Sequence, residues 1–260
     1  MPGLPRRLTH GEEASLVEHL EELRTRVIIS LGSVAFFFIF TYYFRDTIIG
    51  WLSRPLPDNT EPLTLSPTEP FTTSFNVAFY AAVALAIPIL VWQIWAFLAP
   101  AFDERAQRTV VHLVVVATAL LAIGMAFAYW IVLPAAVPFL LNFDSDLYNS
   151  QVRAKEYYSF AIVTILACGL LFELPIFILG LVRLGILSAA RLRHNRRIGL
   201  GFCIIIVVLL PGVDLLTTTL EAVPVLLLFE GSIWAAVFFE KRWAAQGVLP
   251  GEPLTGTSDT

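Results

Sequence analysis

Long uninterrupted apolar runs decide what this chain can fold into. Six of them stand at about Val27–Phe44, Phe75–Leu98, Val110–Leu133, Tyr158–Val182, Ile198–Leu210 and Leu215–Phe239. A hydrocarbon core about 30 Å thick takes roughly 20 apolar residues of helix, and backbone inside it must satisfy its own hydrogen bonds. A transmembrane barrel would instead alternate polar and apolar positions over short segments. The runs here are continuous. Composition agrees, with 57% apolar and only 15% charged residues, where a soluble domain carries about 45–50% and 25%. The expected fold is all-α, a polytopic membrane protein with six transmembrane helices over residues 15–242. The stretches 1–14 and 243–260 are read as disordered tails.

The fifth run is the exception in length. Thirteen residues from Ile198 to Leu210 make roughly 20 Å of helix, short of the core thickness. It thins the bilayer beside it or hides behind its neighbours. Only Pro211-Gly212-Val213-Asp214 separates it from the sixth run, so the last two spans are short or tightly paired. Pro-Gly before Asp is turn chemistry, and a single helix of that combined length would overshoot any bilayer.

Charge fixes the expected orientation. With the N-terminus inside, cytoplasmic segments hold Arg6, Arg7, Arg24, Arg26, Arg105, Arg108, Arg183, Arg191, Arg193, Arg196, Arg197, Lys241 and Arg242. The other side holds only Arg45, Arg54, Arg153 and Lys155. The bias places both termini in the cytoplasm. The first run is too long for a signal-peptide core and no small-residue cleavage site follows, so it reads as a retained span. The outer loops are then 45–74 and 134–157. The first carries prolines at 55, 57, 62, 67 and 70, which predicts a stiff non-helical cap with no ladder donors to offer a strand. Net charge of −4 argues against a nucleic-acid partner, which would want a basic face. Cys168 and Cys203 lie inside apolar runs with no metal or disulfide spacing, and read as small buried hydrophobes.

Two groups of acids need a reason. Glu173, Asp214, Glu221 and Glu230 fall at or near membrane depth, where a carboxylate at a helix centre costs about 2.5–3.5 kcal/mol. Glu173, beside Pro175 in the middle of the fourth run, is the costliest by position and reads as a polar site for a partner helix or passing substrate. Asp214 reads as an N-cap of the last helix, and Glu221 as structural. The second group is "LVEHLEELRTR", Leu16 to Arg26. On a helix Glu18, Glu22 and Thr25 share a face, with Glu21 a step round. Arg24 and Arg26 are placed on other faces, within reach of phosphates. Two readings stand level on the residues alone. One is recognition of a basic partner; the other is an amphipathic interfacial helix with Leu16, Leu20 and Leu23 in the headgroups.

"EHLEELRTR" resembles the N-terminal signature of the TatC family, the polytopic subunit of the twin-arginine protein translocase. "LSPTEPF", "PILVWQIWAFLAPAF", "GMAFAYW", "FELPIF" and "PGVD…AVP…LFE" are similar to successive motifs of that family, in order, over about residues 16–242. The resemblance implies binding of twin-arginine signal peptides of folded precursors and recruitment of single-span partner subunits. It also implies export driven by the proton-motive force, and a homo-oligomer within a hetero-oligomeric receptor complex. No catalytic residue, metal or cofactor is implied, and the setting is a prokaryotic inner membrane. Glu22 matches the family's signal-recognition glutamate, Arg24 the motif's arginine, and Phe97 the aromatic of "WAF"; Glu21 lies beside them. Glu173 matches the intramembrane glutamate, and Pro55 and Pro88 match recurring prolines. Thr218 and Asp214 are expected at the partner-subunit contact.

Two departures stand out. The second acid of the family's first inner loop is replaced by Ala106, with Asp103 and Glu104 as nearby substitutes. "LPGVD" stands where Thr-Pro-Pro-Asp is common. A secondary transporter would need paired broken helices and a midplane ion site, and an intramembrane enzyme a nucleophile–base pair or metal cluster at depth. Of the histidines only His112 lies in a span. Neither alternative accounts for the acidic collar.

Overall fold

The computed structural model describes residues 16–57, 60–98, 104–143, 145–147, 151–183, 186–210 and 214–245. The tail at 1–14, residues 246–260, Asp103 and the turn residues 211–213 lie outside them. Ten α-helices are described: α1 (Leu16–Tyr43), α2 (Arg45–Ser53), α3 (Glu69–Leu98), α4 (Glu104–Phe127), α5 (Leu133–Asn142), α6 (Ala154–Phe172), α7 (Leu174–Arg183), α8 (Ala189–His194), α9 (Arg196–Val208) and α10 (Leu215–Ala245). Five stretches are long and apolar enough to cross a bilayer: Leu20–Tyr43, Glu69–Ile94, Val114–Asn142, Ala154–Arg183 and Leu215–Arg242. Helix α9 has 13 residues, about 20 Å, and does not reach that length.

Proline chemistry explains where the long helices deform. Pro134 offers no N–H to the carbonyl of Trp130, and the ladder slips into a π-helical turn, Ala128–Val132, between α4 and α5. Pro175 likewise cannot serve the carbonyl of Leu171. There the fourth apolar run breaks into α6 and α7 at Glu173, whose amide turns back to the Leu170 carbonyl at 3.1 Å. Pro88 and Pro224 lie inside α3 and α10, which continue past them.

Three expectations need correction. The collar is not a separate interfacial helix: nothing between Leu16 and Tyr43 breaks the ladder, and it forms the first turns of the spanning helix α1. The outer loops are also shorter than 45–74 and 134–157. Residues 45–53 lack proline and form α2, α3 starts at Glu69, and α5 runs on to Asn142. Packing holds these extensions, since Leu52, Leu133, Val137 and Tyr157 share one buried cluster. Finally, the proline-rich cap does pair. Leu63 donates to the Val152 carbonyl and accepts from the Ala154 amide, both at 2.8 Å, forming an isolated bridge between the α2–α3 and α5–α6 connections.

Glu69 tightens that joint. Its buried carboxylate takes a two-pronged fork from Arg153, Nε to Oε1 at 3.0 Å and Nη2 to Oε2 at 3.2 Å. It also accepts from the amides of Leu65 and Lys155. The hydrogen bond to Glu69 raises Arg153 above its already high ordinary pKa. Three tyrosine hydroxyls serve the end of α2, where helix carbonyls lose their partners. Tyr129 donates to Trp51 O, Tyr157 to Leu52 O, and Tyr158 shares a bond with Ser53 Oγ.

Close helix contacts are made at glycines, as packing in lipid favours. A Cβ on Gly124 would stand 2.7 Å from the Cys168 carbonyl oxygen, and one on Gly169 would stand 2.8 Å from Met125. These two positions set the approach of α4 and α6. Gly199 of α9 does the same against the ring of Phe229 on α10.

Candidate functional site

At the collar, α1 meets the last turns of α3. Arg26 is one helical turn beyond Glu22, so the two share a face, which corrects the expectation that Arg26 points elsewhere. Its Nε donates to Glu22 Oε1 at 3.0 Å, and Nη2 reaches the same oxygen. The other side of the guanidinium crosses to α3, with Nη2 on the Ala96 carbonyl at 2.9 Å and Nη1 on Gln93 Oε1 at 3.4 Å. Ala96 is in the final turn of α3, where carbonyls lack intrahelical partners and the dipole is negative. Arg26 therefore caps α3 and ties it to α1.

This arrangement leaves Glu22 half-engaged. Both bonds from Arg26 land on Oε1, and Oε2 takes none among the described residues. The carboxylate is about one-third exposed, at 34%. A carboxylate with one oxygen held and one open is suited to a second planar cation. Half-buried Phe97 follows Ala96 in the last turn of α3. Glu21 and Arg24 are exposed; the Glu21 carbonyl accepts from the Thr25 hydroxyl at 3.0 Å. Asp103 lies outside the described residues. Glu104 opens α4 and Ala106 is in its first turn, but the side chains of Glu104 and His112 also lie outside them.

Inside the apolar span, Glu173 sits at the α6–α7 break with Oε1 buried and without a hydrogen-bond partner among the described residues. The deeper acid is Glu221 on α10, only 2% exposed. Sequence position had made Glu173 the costlier of the two. Glu221 Oε1 lies 3.9 Å from the Cys168 thiol of α6, while Oε2 and the hydroxyls of Thr217 and Thr164 have no partner among the described residues. Cys168 and Cys203 are both free and buried, as expected. Glu221 and Glu230 point to different sides of α10, as their spacing requires, and Glu230 pairs with Arg196.

Asp214 is the N-cap of α10, accepting from the Thr217 amide at 2.8 Å. The Thr218 amide bonds the Asp214 carbonyl, and its half-buried side chain lies on the first turn. Thr219 bonds back to Leu215. Pro55 sits in the turn that ends α2 and Pro88 lies mid-α3. Thus Glu22, through Arg26, is tied to the end of α3 that carries Phe97, whereas Glu173, Thr218 and Asp214 belong to another part of the fold. Two residues were missed. Arg26 was legible from its spacing to Glu22; Gln93, 67 residues away from Arg26, carried no local signal.

Comparison with known proteins gives one consistent picture. Residues 18–224 match the family model for TatC, Sec-independent protein translocase protein. A Sec-independent protein translocase protein TatC from Magnetococcus marinus is 33% identical over 239 residues, which span 90% of this chain and 88% of that protein. The TatC of Escherichia coli K12 is 34% identical, covering 89% of this chain and 90% of its own length. A crystal structure of the twin arginine translocase receptor TatC superposes with a TM-score of 0.75 at 32% identity, covering 84% of this chain and 99% of the solved one.

Proposed function

We propose, since this chain belongs to the TatC family of Sec-independent protein translocase proteins, that it is the receptor subunit that docks twin-arginine signal peptides at the α1–α3 collar. The chain is an integral membrane protein and a component of a protein translocase, a transport subunit and not an enzyme. The finer reading rests on one observation: Glu22 is fixed by Arg26 on one oxygen, while the other takes no hydrogen bond among the described residues. An arginine of the signal peptide completes the carboxylate, and Phe97 offers its ring beside it. Glu21 adds negative potential, and Asp103 or Glu104 takes the second arginine in place of the acid lost at Ala106.

In this reading α9 is a sixth, short span, both termini are cytoplasmic, and the protein sits in a prokaryotic inner membrane among its lipids. The charge bias supports that orientation. Single-span partner subunits meet the region of Glu173, Asp214 and Thr218, and copies of the chain assemble in a larger receptor complex. Export of folded precursors then draws on the proton-motive force.

A photo-crosslinker at Thr25, on the Glu22 face of α1, tests the docking site. A twin-arginine precursor is expected to crosslink, and the same precursor with both arginines changed to lysine to lose most of the product, because lysine lacks the planar fork. Equal crosslinking of the two precursors would remove the recognition reading.

A further inference from the structure

From the sequence "RLRHNRR", Arg191 to Arg197, the structure builds an exposed cationic shelf on α8 and the start of α9. Arg191, Arg193, His194, Arg196 and Arg197 are all exposed, and no acidic residue occurs from Leu174 to Val213. Nearby acids are already engaged. Glu230 pairs with Arg196 at 2.5 Å, and Glu240 accepts from the Ala189 amide at 2.9 Å. Arg191, Arg193 and Arg197 form no ion pair among the described residues. Lys241 and Arg242 extend the positive field along α10.

The shelf is placed, not merely charged. The guanidinium of Arg193 lies 5.5 Å from the ring centroid of the exposed Trp234 on α10. Tryptophan settles at the headgroup level of a bilayer, so the ring holds this cation at the depth of lipid phosphates. Immediately below, Ile198, Phe202 and Ile205 recur at helical spacing on α9 and are all strongly exposed. A row of cations therefore stands directly over an apolar stripe.

We infer that this shelf binds an anionic phospholipid, its phosphate at Arg193 in the positive field of Arg191 and Arg197 and its acyl chains lying on the α9 stripe. The two-part surface selects the occupant. An acidic peptide or free phosphate would use the cations alone, whereas a lipid uses both.

The test is native mass spectrometry of the full chain, released from bilayer discs that contain phosphatidylcholine, phosphatidylglycerol and cardiolipin in equal amounts. The wild type is expected to retain anionic lipid on the order of 100-fold over phosphatidylcholine, as three arginines at roughly fivefold each near a phosphate would give. R191Q/R193Q/R197Q should abolish that preference, and Arg45→Gln/Arg54→Gln at the other end should keep it. Trp234→Leu retains every positive charge but releases Arg193, and should lower retention severalfold. It also keeps the question decidable should the triple variant fail to fold. Equal retention of neutral and anionic lipid by the wild type would overturn the inference. So would displacement of the bound lipid by inorganic phosphate, or unchanged preference in both variants.

Discussion

Replacing Glu22 by Gln separates docking from stability. The Glu22–Arg26 pair is an i,i+4 contact with side chains 34% and 21% exposed, and such pairs contribute about 0.3–0.5 kcal/mol. Arg26 keeps its bonds to Ala96 and Gln93, so the α1–α3 joint survives the change. The melting temperature should fall by only about 1–2 °C. Docking is another matter. A hydrogen bond between charged groups contributes about 1.5–3 kcal/mol, and its loss weakens binding roughly ten- to 150-fold. Fluorescence anisotropy of a labelled twin-arginine peptide against purified protein in bilayer discs measures the affinity, and a thermal melt of the same sample measures the fold. The weak internal pair makes Glu22 available: sharing the carboxylate with a peptide costs no more than about a factor of two. An unchanged affinity would refute the docking role. A large fall in melting temperature alongside lost binding would show that the carboxylate holds the fold instead.

Other expected outcomes follow the same packing. Gly124→Val must move the Cys168 carbonyl oxygen from 2.7 Å toward the 3.4 Å of ordinary contact, and overpacking of this kind costs about 1–3 kcal/mol; a thermal melt in detergent that matches wild type would contradict the α4–α6 geometry. Glu221→Leu removes a buried carboxyl with an unpartnered oxygen, so stability should hold or rise by about 1 kcal/mol, and a pronounced fall in the melt would mean that the acid is satisfied. Arg153→Gln strands Glu69 at the outer joint and should lower the melting temperature clearly more than Glu22→Gln. Adding Glu69→Gln should restore part of the loss, and no recovery would mean that the fork is not what matters.

The five long spans were readable because apolar run length is a one-dimensional property, and lipid leaves few other solutions. The Asp214 cap was readable for a similar reason, since its acceptor and the Thr217 amide are three residues apart. Arg26 has a local spacing to Glu22, but its hold on the Ala96 carbonyl, 70 residues away, has no local pattern. Helix α2 was hidden because its nine residues are bounded by a proline-rich stretch and gain their stability from distant tyrosines. Glu69 lies in a recognisable motif, yet its partner Arg153 is 84 residues away. Burial of Glu221 beyond Glu173 depends on which helix faces cover each acid, and no local pattern encodes that.

The two ends of α1 are fastened differently, and this has a mechanical consequence. Near its C-terminal end Thr41 is buried and its hydroxyl bonds the Ala78 carbonyl of α3 at 2.7 Å. Near its N-terminal end the side-chain bonds to α3 among the described residues come from the partly exposed Arg26. A stiff rod pinned at one end and lightly held at the other is a lever. From Thr41 to Glu22 the helix is about 28 Å long, so a tilt of about 6° at the pivot carries the carboxylate about 3 Å, one hydrogen-bond length. A signal peptide that pulls on Glu22 would thus work at the long arm, and spin labels at Leu20 and Ile94 would record the swing as a change in distance.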